Sequence, residues 1–397
     1  MSGNRNAMVA GVGMVPFTKP GQSHSWQAMG VDAAKLALAD ADIPYCDVGQ
    51  AYAGFVYADS TAGQSVMYDL GLTGIPVINV NNNCATGSTA LFLARQAVQA
   101  GVVDVALAVG FEQMNPGALG IVFNDRVTPM AKHLEAFHAL HPSDPDVPSA
   151  ARWFGEAGRD HQQRYGTSDE TFARITVKAR QHASRNPFAI FRTPLSIEEV
   201  MGSPHIVGPL TRFQCCPPTC GAAAAVIVSP DYARRKGLTG LVEIVGQAMS
   251  TDNAASFDPP TMMQVVGFGM AELAARSVYE QAGVGPEDVQ VCELHDCFTA
   301  NELISYESLG LCGKGEAEQF VNDGDNTYGG RIVTNPSGGL LSKGHPIGAT
   351  GLAQCYELVQ QLRGTADKRQ VEGIRNALQH NLGLGGACVV TMYRQAG

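Results

Sequence analysis

The chain lacks any apolar run approaching the roughly 20 residues that a membrane-spanning helix needs, and it reads as a soluble protein. Basic residues are short as well: 27 Lys and Arg stand against 37 Asp and Glu, a formal net charge of -10. A nucleic-acid backbone is held by clustered Lys and Arg, so this balance excludes nucleic acid as the main partner, while a local basic patch still suffices for one small phosphorylated ligand. Cysteine pairs at metal spacing are missing. Cys215 and Cys216 lie with Cys220 around two prolines and have no companion pair, so no metal site is predicted. No secretory leader is recognisable, and the closing Arg394-Gln395-Ala396-Gly397 is not a peroxisomal signal of the Ser-Lys-Leu kind. With ten cysteines at irregular spacing, the expectation is free thiols in a reducing, cytoplasmic setting.

What is present points to a compact α/β enzyme. The 397 residues include 45 glycines, with 45% hydrophobic and 16% charged residues, enough for two or three domains around a large core. Apolar strands are expected at residues 8–15, 51–57, 75–80 and 103–109, the last ended by Gly110, with helices at 25–41 and 84–100 between them. Such alternation gives a mostly parallel sheet covered on both faces. From about 115 to 205 the pattern breaks into helices at 149–165 and 169–184 without strands, which reads as an inserted loop domain in an N-terminal half spanning 1–250. Strands resume at 221–228 and 241–249. Residues 251–397 then repeat the outline, with helices at 267–282 and 296–309, a strand at 289–294, a Gly-rich corner at 337–350 opening a helix, and a final Gly-to-strand element at 383–392. Two copies of one unit imply an internal pseudo-twofold. Met262, Met263, Phe268 and Met270 read as core in preference to an acyl tunnel.

Three stretches carry chemistry. Cys84 stands where the strand at 75–80 turns into a small-residue helix, and the partnerless N–H groups at a helix start favour a thiolate. A cysteine nucleophile needs a base and oxyanion donors. His345, in the Gly-rich turn Gly344-His345-Pro346, is the candidate base. His295 ends a strand two residues before Cys297, so the first suits hydrogen bonding to a substrate oxygen and the second suits proton transfer. Cys292 and Cys312 read as packing residues. Lys178, Arg180, His182 and Arg185 form the most basic cluster in the chain and are candidates for phosphate binding.

The motifs around Cys84, His295-Asp296-Cys297-Phe298 and Gly344-His345-Pro346 together resemble the thiolase superfamily. The His-Asp-Cys-Phe form is similar to the thiolases related to sterol carrier protein. This resemblance, which runs over essentially the whole chain, implies two βαβαβαββ halves in a five-layered α-β-α-β-α sandwich. It also implies an inserted loop domain that helps bind coenzyme A, and a homodimer or dimer of dimers. Carried over residue by residue, Cys84 accepts the acyl group, His345 activates it, Cys297 is the acid/base cysteine, and His295 polarises the thioester oxygen. The N–H groups of Cys84 and Gly385 make a second oxyanion hole, and Ser337 and Gly338 join the coenzyme A candidates. Coenzyme A is then substrate and product, with no permanently bound cofactor, and the reaction is thiolysis of a 3-oxoacyl-CoA or its reverse. The sequence departs from conventional thiolases in lacking a cysteine at Gln379-His380-Asn381-Leu382-Gly383, and again at Thr219-Cys220. Competing readings are a thiolase-like lyase cleaving steroid side chains with a small OB-fold partner, a ketosynthase-type condensing enzyme, and a non-catalytic acyl-CoA or sterol-binding subunit, for example beside a sterol-carrier partner. Intact Cys84 and Cys297 disfavour all three.

Overall fold

Twelve strands carry the architecture of the computed structural model, which describes residues 6–116, 123, 125–142 and 149–396. They are β1 (Met8–Met14), β2 (Gln50–Gly54), β3 (Val77–Val80), β4 (Val105–Glu112), the small hairpin β5 (His205–Val207) and β6 (Leu210–Thr211), β7 (Gly221–Val228), β8 (Val242–Ser250), β9 (Val291–Glu293), β10 (Val333–Thr334), β11 (Asn376–Gly383) and β12 (Ala387–Gln395). Ten of them form one sheet, ordered β10-β9-β11-β12-β8-β1-β7-β4-β2-β3. Read outward from its middle, the sheet is one five-strand pattern written twice. In each set the first three pairings from the outer edge run parallel, parallel and antiparallel, and the innermost pairing, β1–β7 or β12–β8, is again antiparallel. In the sheet the two sets pair through Met8 opposite Glu243 and Val9 opposite Val242. β8 thus heads the second set, and we propose that the halves divide before Val242, ahead of the 250/251 boundary expected from the sequence.

Five layers follow from which faces are apolar. The helices Thr86–Gln99 and Trp26–Ala41 sit on opposite faces of the first set, and the former is packed against Thr350–Arg363 of the second half. Ala90, Leu91 and Ala94 from one of these central helices and Leu352, Ala353 and Leu358 from the other share a core with strand residues of both sets, including Ala106, Ile227, Val291 and Ala377. Trp26–Ala41 buries Ala33, Ala34 and Ala37 in one outer core, and Phe268–Ala282 buries Met270, Ala274 and Val278 in the other. Met262 and Met263 belong to that outer core as well. Among the described residues the segment from 115 to 205 holds helices Ala131–Leu140, Ala150–Tyr165, Asp169–Ala183 and Ile197–Met201 and no strand of the large sheet. Part of this segment (117–122, 124 and 143–148) lies outside the described residues. No helix among the described residues is long and apolar enough to cross a membrane.

Four expectations are corrected. The large sheet is mixed and not mostly parallel, with five antiparallel pairings against four parallel ones. β4 does not stop at Gly110 but runs on to Glu112. Gly110 is needed for close approach: a Cβ there would lie 2.3 Å from the Gly348 carbonyl oxygen. The helix expected from Asp296 starts at Thr299, because the Asp296 carboxylate is spent on the Leu340 and Leu341 N–H groups (2.7 and 3.3 Å). The helix expected from Cys84 starts at Thr86, leaving Cys84 just outside it.

The two halves therefore touch backbone to backbone where Gly348 meets β4. A methyl group at Gly348 would meet Phe111 O at 2.6 Å and Gly54 O at 2.8 Å. Gly348→Ala is expected to lower stability by about 1–3 kcal/mol, read from the denaturant midpoint of unfolding. An unchanged midpoint would show that the contact yields freely.

Candidate functional site

The turn after β3 is built from its own asparagines. Asn82 N–H donates to Thr86 Oγ1 (2.8 Å), Asn83 N–H donates to Asn81 Oδ1 (3.1 Å), and Asn83 takes a left-handed φ of 50°. The Asn83 side chain reaches across to the other half, donating to Leu384 O (2.9 Å) in the turn between β11 and β12. Cys84 is thereby fixed at the floor of a cavity of about 1030 Å³, together with His295, Cys297 and His345. The Cys84 sulfur and one ring nitrogen of each of His295 and His345 all lie within 4.8 Å of one another, and all three residues are buried.

Local bonds fix the state of each ring. Thr350 Oγ1 donates to Pro346 O (2.9 Å), so its contact with His345 Nδ1 (2.7 Å) requires the proton on Nδ1. His345 Nε2 is left as a bare acceptor, and among the described residues it has no partner. Such a nitrogen can accept a proton. The backbone beneath it is held by Thr219, whose Oγ1 accepts from His345 N–H (3.0 Å) and donates to Pro217 O (2.8 Å). The unexplained departure at Thr219 thus acquires a role, while Cys220 is buried and donates to Met114 O (3.4 Å). At the opposite ring, Asn381 Nδ2 faces His295 Nδ1 (3.1 Å), which places the His295 proton on Nε2. The rings of His295 and His345 meet edge to face at 5.1 Å.

Burial governs the charges. It pushes the Cys84 thiol up to about 12, assisted by the Glu112 carboxylate, against the pull of the N–H groups of Cys84 and Leu384. The expectation of a thiolate created by the helix end is thus overturned: outside the helix and desolvated, Cys84 rests as a thiol. Burial brings His345 down to about 3, and it also lowers His295, to which His345 and His380 add. Cys297 is raised by burial and then by the neighbouring Cys216 and Cys84. Cys216, which the sequence offered only as part of a Cys-Cys-Pro-Pro run, lines the same cavity and donates its N–H to Cys297 O (2.9 Å).

The basic cluster splits apart. The i, i+4 pair Lys178 and His182 turns inward on its helix: Lys178 pairs with Glu302 and Thr334, and His182 bonds Asn335 O (3.0 Å) and Thr327 Oγ1 (2.8 Å). Arg185 lies over the Tyr328 ring at 4.3 Å. Of the four, only Arg180 lines the cavity, stacked 4.4 Å from Phe191, and Lys19 and Arg212 line it too, neither singled out by the sequence. Ser337 is buried and donates to Glu293 Oε2 (2.7 Å), and Gly338 packs against Ala183, so neither reaches the cavity wall. Gly385, with φ 100°, faces Met130, and its neighbour Leu384 lines the cavity. Cys292 is buried in β9 and Cys312 packs against the outer core.

Comparison with known proteins gives the family. Residues 7–209 match the thiolase N-terminal domain and residues 248–393 the thiolase C-terminal domain-like family. The chain is 52% identical over 399 residues to sterol carrier protein 2 of Homo sapiens, covering 98% of this chain and 72% of that protein. It is 37% identical to the benzoylsuccinyl-CoA thiolase subunit BbsB of Thauera aromatica, covering 99% of this chain and 98% of that one. Among solved structures, an Ltp2-ChsH2(DUF35) aldolase superposes with a TM-score of 0.83 at 27% identity, covering 98% of each chain. With both halves matched, this chain belongs to the thiolase family.

Proposed function

We propose that this protein is an acyl-CoA thiolase that cleaves 3-oxoacyl-CoA, or runs the reverse condensation, through an acyl group on Cys84. The observation that carries the reading is the meeting of a buried thiol, an acceptor imidazole and a donor imidazole within 4.8 Å at the floor of one cavity. Cys84 loses its proton to His345 Nε2 as its sulfur attacks the keto carbon. The resting pair is neutral, so proton transfer and attack are coupled. His295 Nε2–H donates to the thioester oxygen of the departing enolate, and Cys297 supplies the proton at carbon. Coenzyme A then takes the acyl group from Cys84. The N–H groups of Cys84 and Gly385 serve as the second oxyanion hole in this scheme.

Phe154, Phe191, Phe213, Phe298 and Leu195 line the cavity and suit an apolar acyl chain. Arg180, Arg212 and Lys19 take over the phosphate role first assigned to the whole basic cluster. Lys178 and His182 become scaffold residues. A homodimer fits the open edge of β3, which ends the sheet. A retro-aldol lyase with a partner subunit is the second reading, favoured by the aldolase of similar fold. Cys84 opposes it, since aldol cleavage needs no acyl-accepting thiol.

Cys84→Ala is expected to lose about 10³-fold or more in thiolysis and to show no acyl adduct by mass spectrometry after brief exposure to acyl-CoA. Cys297→Ala should keep the adduct and lose condensation by about 10²–10⁴-fold. An adduct on Cys84→Ala, or undiminished condensation in Cys297→Ala, would sink these assignments. Arg180→Gln should raise KM for coenzyme A by about tenfold or more, the loss of one charge-assisted hydrogen bond, and leave KM for a phosphate-free pantetheine thioester unchanged. Equal effects on both would remove Arg180 from the phosphate site. Because the thiol is pushed up to about 12, the thiolate fraction grows with each pH unit through the neutral range. Alkylation of Cys84 by iodoacetamide should therefore climb from about pH 6 to about pH 9 without levelling. A plateau below neutrality would reveal a preformed thiolate.

A further inference from the structure

We propose that Cys84, His295 and His345 form a binding site for a borderline-soft divalent metal, zinc foremost, whose occupancy reversibly blocks the nucleophile. One sulfur and two imidazole nitrogens are the donor set such ions prefer, and here they converge within 4.8 Å from three positions far apart in sequence, which is why no spacing signal marks them. Zinc bonds of about 2.0–2.3 Å require these atoms to close by on the order of 1 Å. The fourth position opens on the cavity, where water or a substrate sulfur can complete a tetrahedron.

The surroundings already supply the outer bonds a metal-bound imidazole needs. His345 Nε2 is buried without a partner among the described residues, and its other nitrogen is held by Thr350 Oγ1 at 2.7 Å. His295 is held by Asn381, whose Oδ1 is buried and equally without a partner. Half a turn of that carboxamide, with Nε2 giving its proton to solvent and Nδ1 taking one from it, sets Oδ1 against His295 Nδ1–H and frees the Nε2 lone pair. One asparagine thus sets two states: amide nitrogen toward the ring leaves Nε2–H as a donor, and amide oxygen toward the ring makes Nε2 a ligand. Binding forms one metal–sulfur and two metal–nitrogen bonds, releases the Cys84 thiol proton to solvent and changes no oxidation state.

Titration of the full chain with cobalt(II), free of oxygen, tests the site independently of catalysis. The expected result is one equivalent bound with a sulfur-to-cobalt charge-transfer band, displaced by zinc. The band should vanish in Cys84→Ala and in parent protein whose Cys84 has been alkylated. Apparent affinity should rise nearly tenfold per pH unit as the thiol proton is displaced. Asn381→Asp, which holds the proton on His295 Nδ1, should tighten binding about tenfold or more. No band in the parent, or a band of equal strength after Cys84 is removed or blocked, overturns the proposal. A chain that thiolyses 3-oxoacyl-CoA without the band fails this inference alone. One that binds cobalt but turns over no substrate fails only the functional reading.

Discussion

A single buried carboxylate ties the site together. Glu112, at the end of β4, accepts the N–H groups of Val56 and Tyr57 (3.0 Å each) from its own half and that of Gly348 (3.1 Å) from the other. The glycine contact between Gly110 and Gly348 lets the two backbones come close enough for this. Burial pushes the carboxyl up to about 7, so three directed N–H bonds offset a group poorly solvated in its charged form. The loop carrying His345 leaves this anchor only three residues before Gly348. Where Glu112 and Gly348 go, His345 follows.

The same dry interior decides the chemistry. Desolvation holds thiol and imidazole neutral and sharpens every hydrogen bond that remains. Orientation is then set by small neutral partners, Thr350 for one ring and Asn381 for the other, and among the described residues no carboxylate pairs with either histidine. Tautomers, more than charges, are what the protein has fixed. The two imidazoles stand here with their protons assigned by neighbours.

Much of this was legible in the residues. Apolar runs such as 221–228 and 103–109 have no alternative to a strand buried on both faces, and the three motif corners fall where strands meet helices. β11 was not legible. Its Asn376, Gln379, His380 and Asn381 are polar yet fully or nearly buried, each spent on a cross-sheet or side-chain bond, so the apolar signal of a strand is absent. The basic cluster failed for another reason: counting charges along a helix does not tell which face turns inward, and Lys178 answers to Glu302, an acid 124 positions away. Thr219 and Cys216 act through contacts that no local pattern announces.

The joint between the halves has a mechanical meaning. Only two residue pairs link β1 to β8, and Cys84 stands on one side of that seam while His295, Cys297 and His345 stand on the other. The gap between sulfur and imidazole therefore depends on how the two halves are joined, through the Asn83–Leu384 and Glu112–Gly348 bonds as well as through the sheet. The fit of the two halves thus sets how closely the Cys84 sulfur and the two imidazoles approach one another.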